Sequence, residues 1–185
     1  MGSPGGPLAL RMRVMTISSR VVRFVEMTST ALSALLADDR PAAETELGFP
    51  LGDEFLTDRA KWLWKYRLDQ LTQDPSTFGW LVKLVVADGI VVGYAGFHGP
   101  PDEAGMVEIG YTVDPSYRRQ GFAKAIVTAL LERAAAEPAV RTVRATISPS
   151  NQASLATIAG FGFVENGEQW DEEDGLELIF ERPSR

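Results

Sequence analysis

Apolar side chains recur at every fourth position through Phe122, Ile126, Leu130 and Ala134, with Val127 and Leu131 alongside. That spacing gives one apolar face to a helix predicted over residues 120–137, and Pro138 ends it. Elsewhere the period shortens. Residues 20–27, 80–87, 90–97, 106–113 and 141–147 are rich in Val, Ile, Tyr and Phe and read as strands. Asp88-Gly89 favours a tight hairpin turn between the second and third, and Asp114-Pro115 stops the fourth.

Three other stretches complete the pattern. Thr28 or Ser29 can cap a short helix carrying Leu32, Leu35 and Leu36, and residues 41–53 read as a Gly- and Pro-punctuated loop with acidic side chains. Residues 55–71 read as a helix whose Trp62, Trp64 and Tyr66 point in more than one direction, so more than one side must be covered, by core or by ligand. A short helix opens near Asn151, and residues 163–165 and 176–181 suggest two last strands around an acidic loop. The order is a helical insert, an antiparallel meander and a β-α-β-α-β finish. It predicts an α/β (α+β) fold: a mixed, mostly antiparallel sheet of about six or seven strands flanked by helices.

Length and composition narrow the function. The chain's 185 residues suit one domain, read as 16–185, behind a Gly-, Pro- and Ser-rich stretch at 1–15 read as a disordered leader or a remnant of expression. No run of about 18 apolar residues spans a membrane, and the start lacks the apolar core of a signal peptide, so a cytoplasmic location is expected. With no Cys and one His, His98, a Cys/His zinc site, a cysteine nucleophile and a disulfide framework are excluded. A carboxylate-only Mg²⁺ or Ca²⁺ site stays open in principle, but no EF-hand or phosphate-loop spacing offers one, so no metal is expected.

The net charge of −7 is unevenly spread: eight acidic residues and no Lys or Arg lie between Glu165 and Glu181. Six of the basic residues fall between Arg118 and Arg144. An acidic chain with one small basic segment argues against nucleic acid and suits a compact anionic ligand.

That segment carries the most informative turn, Val113-Asp114-Pro115-Ser116-Tyr117-Arg118-Arg119-Gln120-Gly121-Phe122-Ala123. A strand ends and a helix begins on small residues. The first amides of a helix lack internal partners and carry the positive end of its dipole. Gly121 lets a ligand approach, Ala123 keeps the first turn uncrowded, and Arg118, Arg119 and Lys124 add charge. Together they suit a pyrophosphate. Neither the dinucleotide fingerprint nor a Walker loop is present.

The order strand, Val-Asp-Pro turn, Arg-Arg-Gln-Gly-Phe-Ala and helix resembles the acyl-CoA-binding motif of the GNAT family of N-acetyltransferases. Asn151-x-x-Ser154 and Gly162-Phe163 fall where that family places them, and Glu108-Ile109-Gly110-Tyr111 resembles the RimJ/RimL-type branch. The resemblance covers roughly residues 21–181. It implies acetyl-CoA as donor and a splay between the strand ending at Val113 and the one starting at Arg141. It also implies that the Val113 backbone pairs with the pantetheine arm. The amides of Arg118, Arg119, Gln120, Gly121, Phe122, Ala123 and Lys124 would take the pyrophosphate, and Asn151 the lower pantetheine or the carbonyl end.

An amine of lysine type has a pKa near 10.4, so a proton must leave before it attacks a thioester. Glu108 is the candidate general base: a carboxylate in an apolar strand is a stronger base, because desolvation disfavours its charge. Strand alternation also allows Glu108, Gly110 and Thr112 to form a solvated face. The N–H of Val113 is a candidate to stabilise charge on the carbonyl oxygen. Where many relatives carry a general-acid Tyr seven residues after the Asn, this chain has Ile158. The RimL-like pattern points instead to Ser154, which would need a relay and could equally serve as a helix-start Ser.

His98 reads either as a turn residue or as part of the site. Glu44, Glu46, Asp53, Glu54 and residues 171–174 either ring an acceptor pocket for a cationic amine or lie on solvated loops.

The leading expectation is direct acetyl transfer to a protein N-terminus or a small-molecule amine. A catalytically silent acyl-CoA sensor is the alternative, and a structural domain that pairs through its sheet edge a third. The stoichiometry, including a homodimer, stays open.

Overall fold

The computed structural model describes residues 20–172 and 175–185; the leader expected at 1–15 lies outside the described residues. Its strands are β1 (Arg23–Glu26), β2 (Lys83–Ala87), β3 (Ile90–Phe97), β4 (Met106–Val113), β5 (Thr142–Ile147), β6 (Val164–Asp171) and β7 (Gly175–Pro183). Its helices are α1 (Ser29–Leu36), α2 (Arg40–Leu47), α3 (Asp58–Gln73), α4 (Phe122–Ala136) and α5 (Gln152–Ile158). The sheet runs β1-β2-β3-β4-β5-β7-β6, antiparallel throughout except where β4 meets β5.

The hydrophobic periods explain the layering. All six apolar positions foreseen for α4 are buried, and they pack with alternate residues of β4 and β5 and with Val92, Ala95 and Phe97 of β3. Leu84 and Val86 of β2 face α1, α2 and α3, whereas Val85 and Ala87 face the α4 side. Every side chain of β2 is therefore covered, as a central strand between two helical layers requires. In the hairpin turn, Asp88 (φ 50°) and Gly89 (φ 80°) are both left-handed, the geometry that matches strand twist.

Two elements differ from the sequence expectation. Residues 41–53 are not all loop: Asp39 caps α2 by accepting from the Ala42 amide at 3.1 Å, and Gly48 closes it at φ 75°. Pro41 sits in the first turn, where a missing N–H is harmless. The expected acidic loop after Glu165 is mostly strand. β6 continues to Asp171 because β7 supplies its hydrogen-bond partners, although its own side chains are polar and largely exposed. Among the described residues no helix is long and apolar enough to cross a membrane.

The stripe Ala60, Trp64, Arg67 and Leu71 is the buried side of α3. Trp64 is fully buried, and its Nε1 donates to the Phe55 carbonyl at 2.8 Å. Trp64→Ala empties that volume and orphans the carbonyl. It should cost about 3–5 kcal/mol; urea unfolding followed by circular dichroism reads the loss, and a change below about 1 kcal/mol would contradict this packing.

Candidate active site

The sheet opens where β4 leaves β5. Their parallel pairing is confined to Met106 with Thr142, Val107 with Val143, and Glu108 with Arg144. On the other side of β4, the His98 amide donates to the Glu108 carbonyl at 2.9 Å and the Asp114 amide to the Val92 carbonyl at 3.0 Å. Alternation then turns the backbone groups of Tyr111 and Val113 away from β3, into the gap. Among the described residues no strand pairs with them there. The Val113 carbonyl instead accepts from Arg118 Nε at 3.1 Å, so its N–H is what it offers to an extended ligand.

The turn into α4 is the second feature. Asp114 is buried and caps the turn, accepting from the Ser116 amide at 2.9 Å. The Arg118 amide donates to the Pro115 carbonyl at 3.4 Å, which takes it out of the expected anion-binding set. From Arg119 to Lys124 the situation differs. Among the described residues, none accepts a hydrogen bond from these six amides, and α4 starts without a side-chain cap.

Arg119 (φ 62°) and Gly121 (φ 89°) are left-handed, and such alternation gathers successive N–H groups into a concave nest. The Arg118, Arg119, Gln120 and Lys124 side chains are exposed around it. Phe122 contributes backbone only: its ring is buried edge-on to Tyr117, centroids 6.3 Å apart. Unclaimed amides in a basic turn beside an open sheet edge fit a pyrophosphate followed by an extended amide-containing arm.

A cleft of about 1110 Å³ runs from the gap to α3 and the β6–β7 hairpin. Glu108 lies on its floor with 17% of its side chain exposed, so the β4 face that could have been solvated is largely covered. Thr146 Oγ1 donates to Glu108 Oε1 at 2.5 Å, and His98 Nδ1 stands 3.4 Å from the same oxygen. Arg67 and Gln70 of α3 hold the His98 carbonyl, each at 3.0 Å. Burial pushes the Arg67 guanidinium down to about 10, against the opposing pull of Tyr66 and Glu108, so it stays charged at neutral pH.

Burial likewise lowers the His98 imidazole below its ordinary value. Arg67 adds to that effect, while Glu108 and Asp171 oppose it. The ring stands at the cleft wall, 47% of its side chain open to solvent and the rest enclosed by protein that disfavours a second positive charge.

At the other end of the gap, Asn151 caps α5 by accepting from the Ser154 amide at 3.1 Å. Its Oδ1 is thus committed, and Nδ2 is the group it can present to a ligand. Ser154 lines the cleft. The Tyr111 hydroxyl is buried near the hydroxyls of Ser154 and Thr157 without a well-formed hydrogen bond to either. Burial raises its phenol, with those two hydroxyls opposing, so it is protonated at neutral pH. Ile158, where a general-acid Tyr was looked for, is in the core.

The acidic residues separate into groups. Asp171 and Glu172 line the cleft with Asp58 and Glu177, whereas residues 173 and 174 lie outside the described residues. Glu44 accepts from the Leu51 amide, Glu46 from Thr28 and Asp53 from Arg40, so these three hold the α1–α3 insert together. Glu54 is likewise not among the cleft-lining residues. On α3, Trp62 and Tyr66 stack with centroids 5.5 Å apart and planes 2° from parallel, both facing the cleft and half exposed.

Sequence reasoning misses Arg67, Gln70 and the Tyr111–Ser154–Thr157 group. A charged residue inside an otherwise apolar stripe was the available signal for Arg67. The Tyr111 group joins a strand to a helix forty residues later, and no local spacing reveals it.

The profile of the Acetyltransferase (GNAT) domain matches residues 24–164. The uncharacterized N-acetyltransferase YjdG of Bacillus subtilis (strain 168) is 36% identical over 76 residues, 41% of this chain and 45% of that protein. The match thus spans less than half of the relative's length.

Among solved structures, RimL, a ribosomal L7/L12 alpha-N-protein acetyltransferase in complex with coenzyme A, superposes with a TM-score of 0.61 at 17% identity. The match covers 88% of this chain and 94% of that one. A spermidine N-acetyltransferase chimera of Vibrio cholerae SpeG and hSSAT gives 0.62 at 11% identity, over 88% and 95%. At such identities the likeness is one of fold, and it agrees with the splayed sheet and open turn. With the domain profile spanning most of the sheet and both ligand-facing features, the chain belongs to the GNAT acetyltransferase family.

Proposed function

We propose that this chain is an acetyl-CoA-dependent N-acetyltransferase of the RimJ/RimL-like branch, a single domain over residues 16–185 that works in the cytoplasm. Its acceptor is a primary amine, on a protein N-terminus or a small molecule. The observation that carries this reading is the run of six unclaimed amides from Arg119 to Lys124, placed beside the unpaired edge of β4.

Bound there, the donor supplies an acetyl group activated as a thioester. The amides of Arg119, Gln120, Gly121, Phe122, Ala123 and Lys124 hold its diphosphate, and Arg118 acts through its side chain. The Val113 N–H and Asn151 Nδ2 hold the arm. Glu108 supplies the negative charge that drives removal of the proton from the acceptor ammonium, with Thr146 fixing its carboxylate. Ser154 Oγ, which lines the cleft, would pass a proton toward the leaving sulfur, and the buried Tyr111 hydroxyl beside it would resupply that proton. A thiolate needs little help to leave, so this side of the reaction asks less of the protein. Trp62 and Tyr66 offer a π face, and the acidic end of the cleft a negative field, to a cationic acceptor.

Thermal-shift titration with acetyl-CoA, CoA and NAD, followed by mass spectrometry of an amine and N-terminal peptide panel, tests the proposal. Stabilisation by both CoA forms, none by NAD, and a gain of about 42 Da on at least one amine, an acetyl group added less the hydrogen it replaces, are expected. Stabilisation without transfer would leave the silent sensor, which the Glu108–Thr146 and Tyr111–Ser154 arrangements argue against. No stabilisation by either CoA form would overturn the proposal.

A further inference from the structure

The sole histidine of the chain stands between the proposed base and open solvent. Three observations bear on it. Its Nδ1 is 3.4 Å from Glu108 Oε1, the oxygen that Thr146 also engages. Its backbone is pinned on both sides: the amide donates to the Glu108 carbonyl, and the carbonyl accepts from Arg67 and Gln70. A Cβ on Gly110 would meet His98 Nε2 at 3.0 Å, so the ring lies directly over β4 at a position that glycine keeps clear. Gly110 is two residues beyond the last β4–β5 pair, where the sheet has opened.

With this placement Nδ1 faces the carboxylate and Nε2 lies over Gly110, on the stretch of β4 that lines the cleft. A carboxylate beside Nδ1 favours the tautomer that carries its proton there and leaves the Nε2 lone pair available. Resting on the acetyltransferase reading above, we propose that His98 Nε2 is the atom that takes the proton from the acceptor ammonium. Glu108 then acts as the positioning carboxylate that orients the imidazole and balances the imidazolium.

The N–H bond of the ammonium breaks to Nε2, and the freed lone pair forms the C–N bond to the acetyl carbon. The C–S bond breaks with its electron pair leaving on sulfur, and the imidazolium returns its proton to solvent through the open side of the ring. No oxidant or further reactant is required. The charged and titratable groups facing His98 are Glu108 from β4, Arg67 from α3 and Asp171 from β6. Burial and Arg67 keep the ring neutral to a lower pH than a free imidazole, so the base form persists below the ordinary value of 6.5.

Because there is one histidine, nitrogen-15 NMR of the ring reports this site alone. The free protein should show the Nδ1–H tautomer at pH 7 and a titration midpoint below 6.5, and Glu108→Gln should erase the tautomer preference. In kinetics, His98→Gln should lower kcat/KM for the amine by about a hundredfold and change the acidic limb of the pH profile. Acetyl-CoA affinity by calorimetry should stay within about twofold, because the proposed donor contacts are the α4 turn, Val113 and Asn151 and not His98.

Added imidazole should restore part of the activity of His98→Ala, which a purely structural ring would not allow. Gly110→Ala keeps the imidazole but moves it, and should lose activity without rescue by imidazole. If wild type turns over and His98→Gln retains activity within threefold with an unchanged pH limb, the inference falls and the acetyltransferase reading stands. If wild type binds acetyl-CoA and acetylates no amine, both fall together.

Discussion

Glu108→Gln is expected to lower kcat/KM for the acceptor amine by about a hundredfold or more, the usual worth of positioned acid–base catalysis. Acetyl-CoA affinity should change little. Glutamine keeps the size of the side chain and an oxygen able to accept from Thr146, so the fold and the cleft floor should survive. What it lacks is the negative charge, required whether the proton goes to the carboxylate itself or to an imidazole it steadies. Steady-state kinetics from pH 6 to 9, with calorimetry for the donor, separates the two effects. Activity within threefold of wild type over that range would show that Glu108 is not the charge the reaction uses.

The second large effect belongs to the anion-binding turn. Gly121 has φ 89°, and among the described residues no atom lies within 4 Å of where a Cβ would sit. Gly121→Val therefore meets no internal clash; its penalty is backbone strain of about 1–3 kcal/mol in a left-handed position, relieved by rotating the nest amides out of line. A branched side chain also projects where a ligand approaches the turn. Acetyl-CoA affinity should weaken by about ten- to a hundredfold, the equivalent of that strain. Calorimetry on the purified variant reads it, and circular dichroism checks that helix content is retained. An unaltered Kd would show that the diphosphate binds elsewhere.

Local rules carried the fold where the chain obeys them. The four-residue step of α4 buried all six of its foreseen positions, and Asp88-Gly89 makes the turn its two residue types favour. Failures came where a local signal was outvoted. Pro41 reads as punctuation, but in the first turn of a helix its missing N–H has no intrahelical bond to lose. The polar run of β6 has no strand alternation, and only the neighbouring β7 makes it a strand.

At the site, the α4 turn was legible because its features are consecutive residues. His98 was left between two readings, since its partners come from a helix thirty residues earlier and a strand ten residues later. Tyr111 was visible as a strand residue, but its nearness to Ser154 and Thr157 exists only once the sheet and α5 are assembled.

Three rungs join the two halves of this sheet, from Met106, Val107 and Glu108 to Thr142, Val143 and Arg144. Such a seam is the line along which the molecule has least to lose by flexing. A guest with its own amides, lodged in the wedge beyond the third rung, acts as a temporary crosspiece between the halves. By that reading the donor doubles as a brace, lending the seam hydrogen bonds that β4 and β5 do not make with each other there.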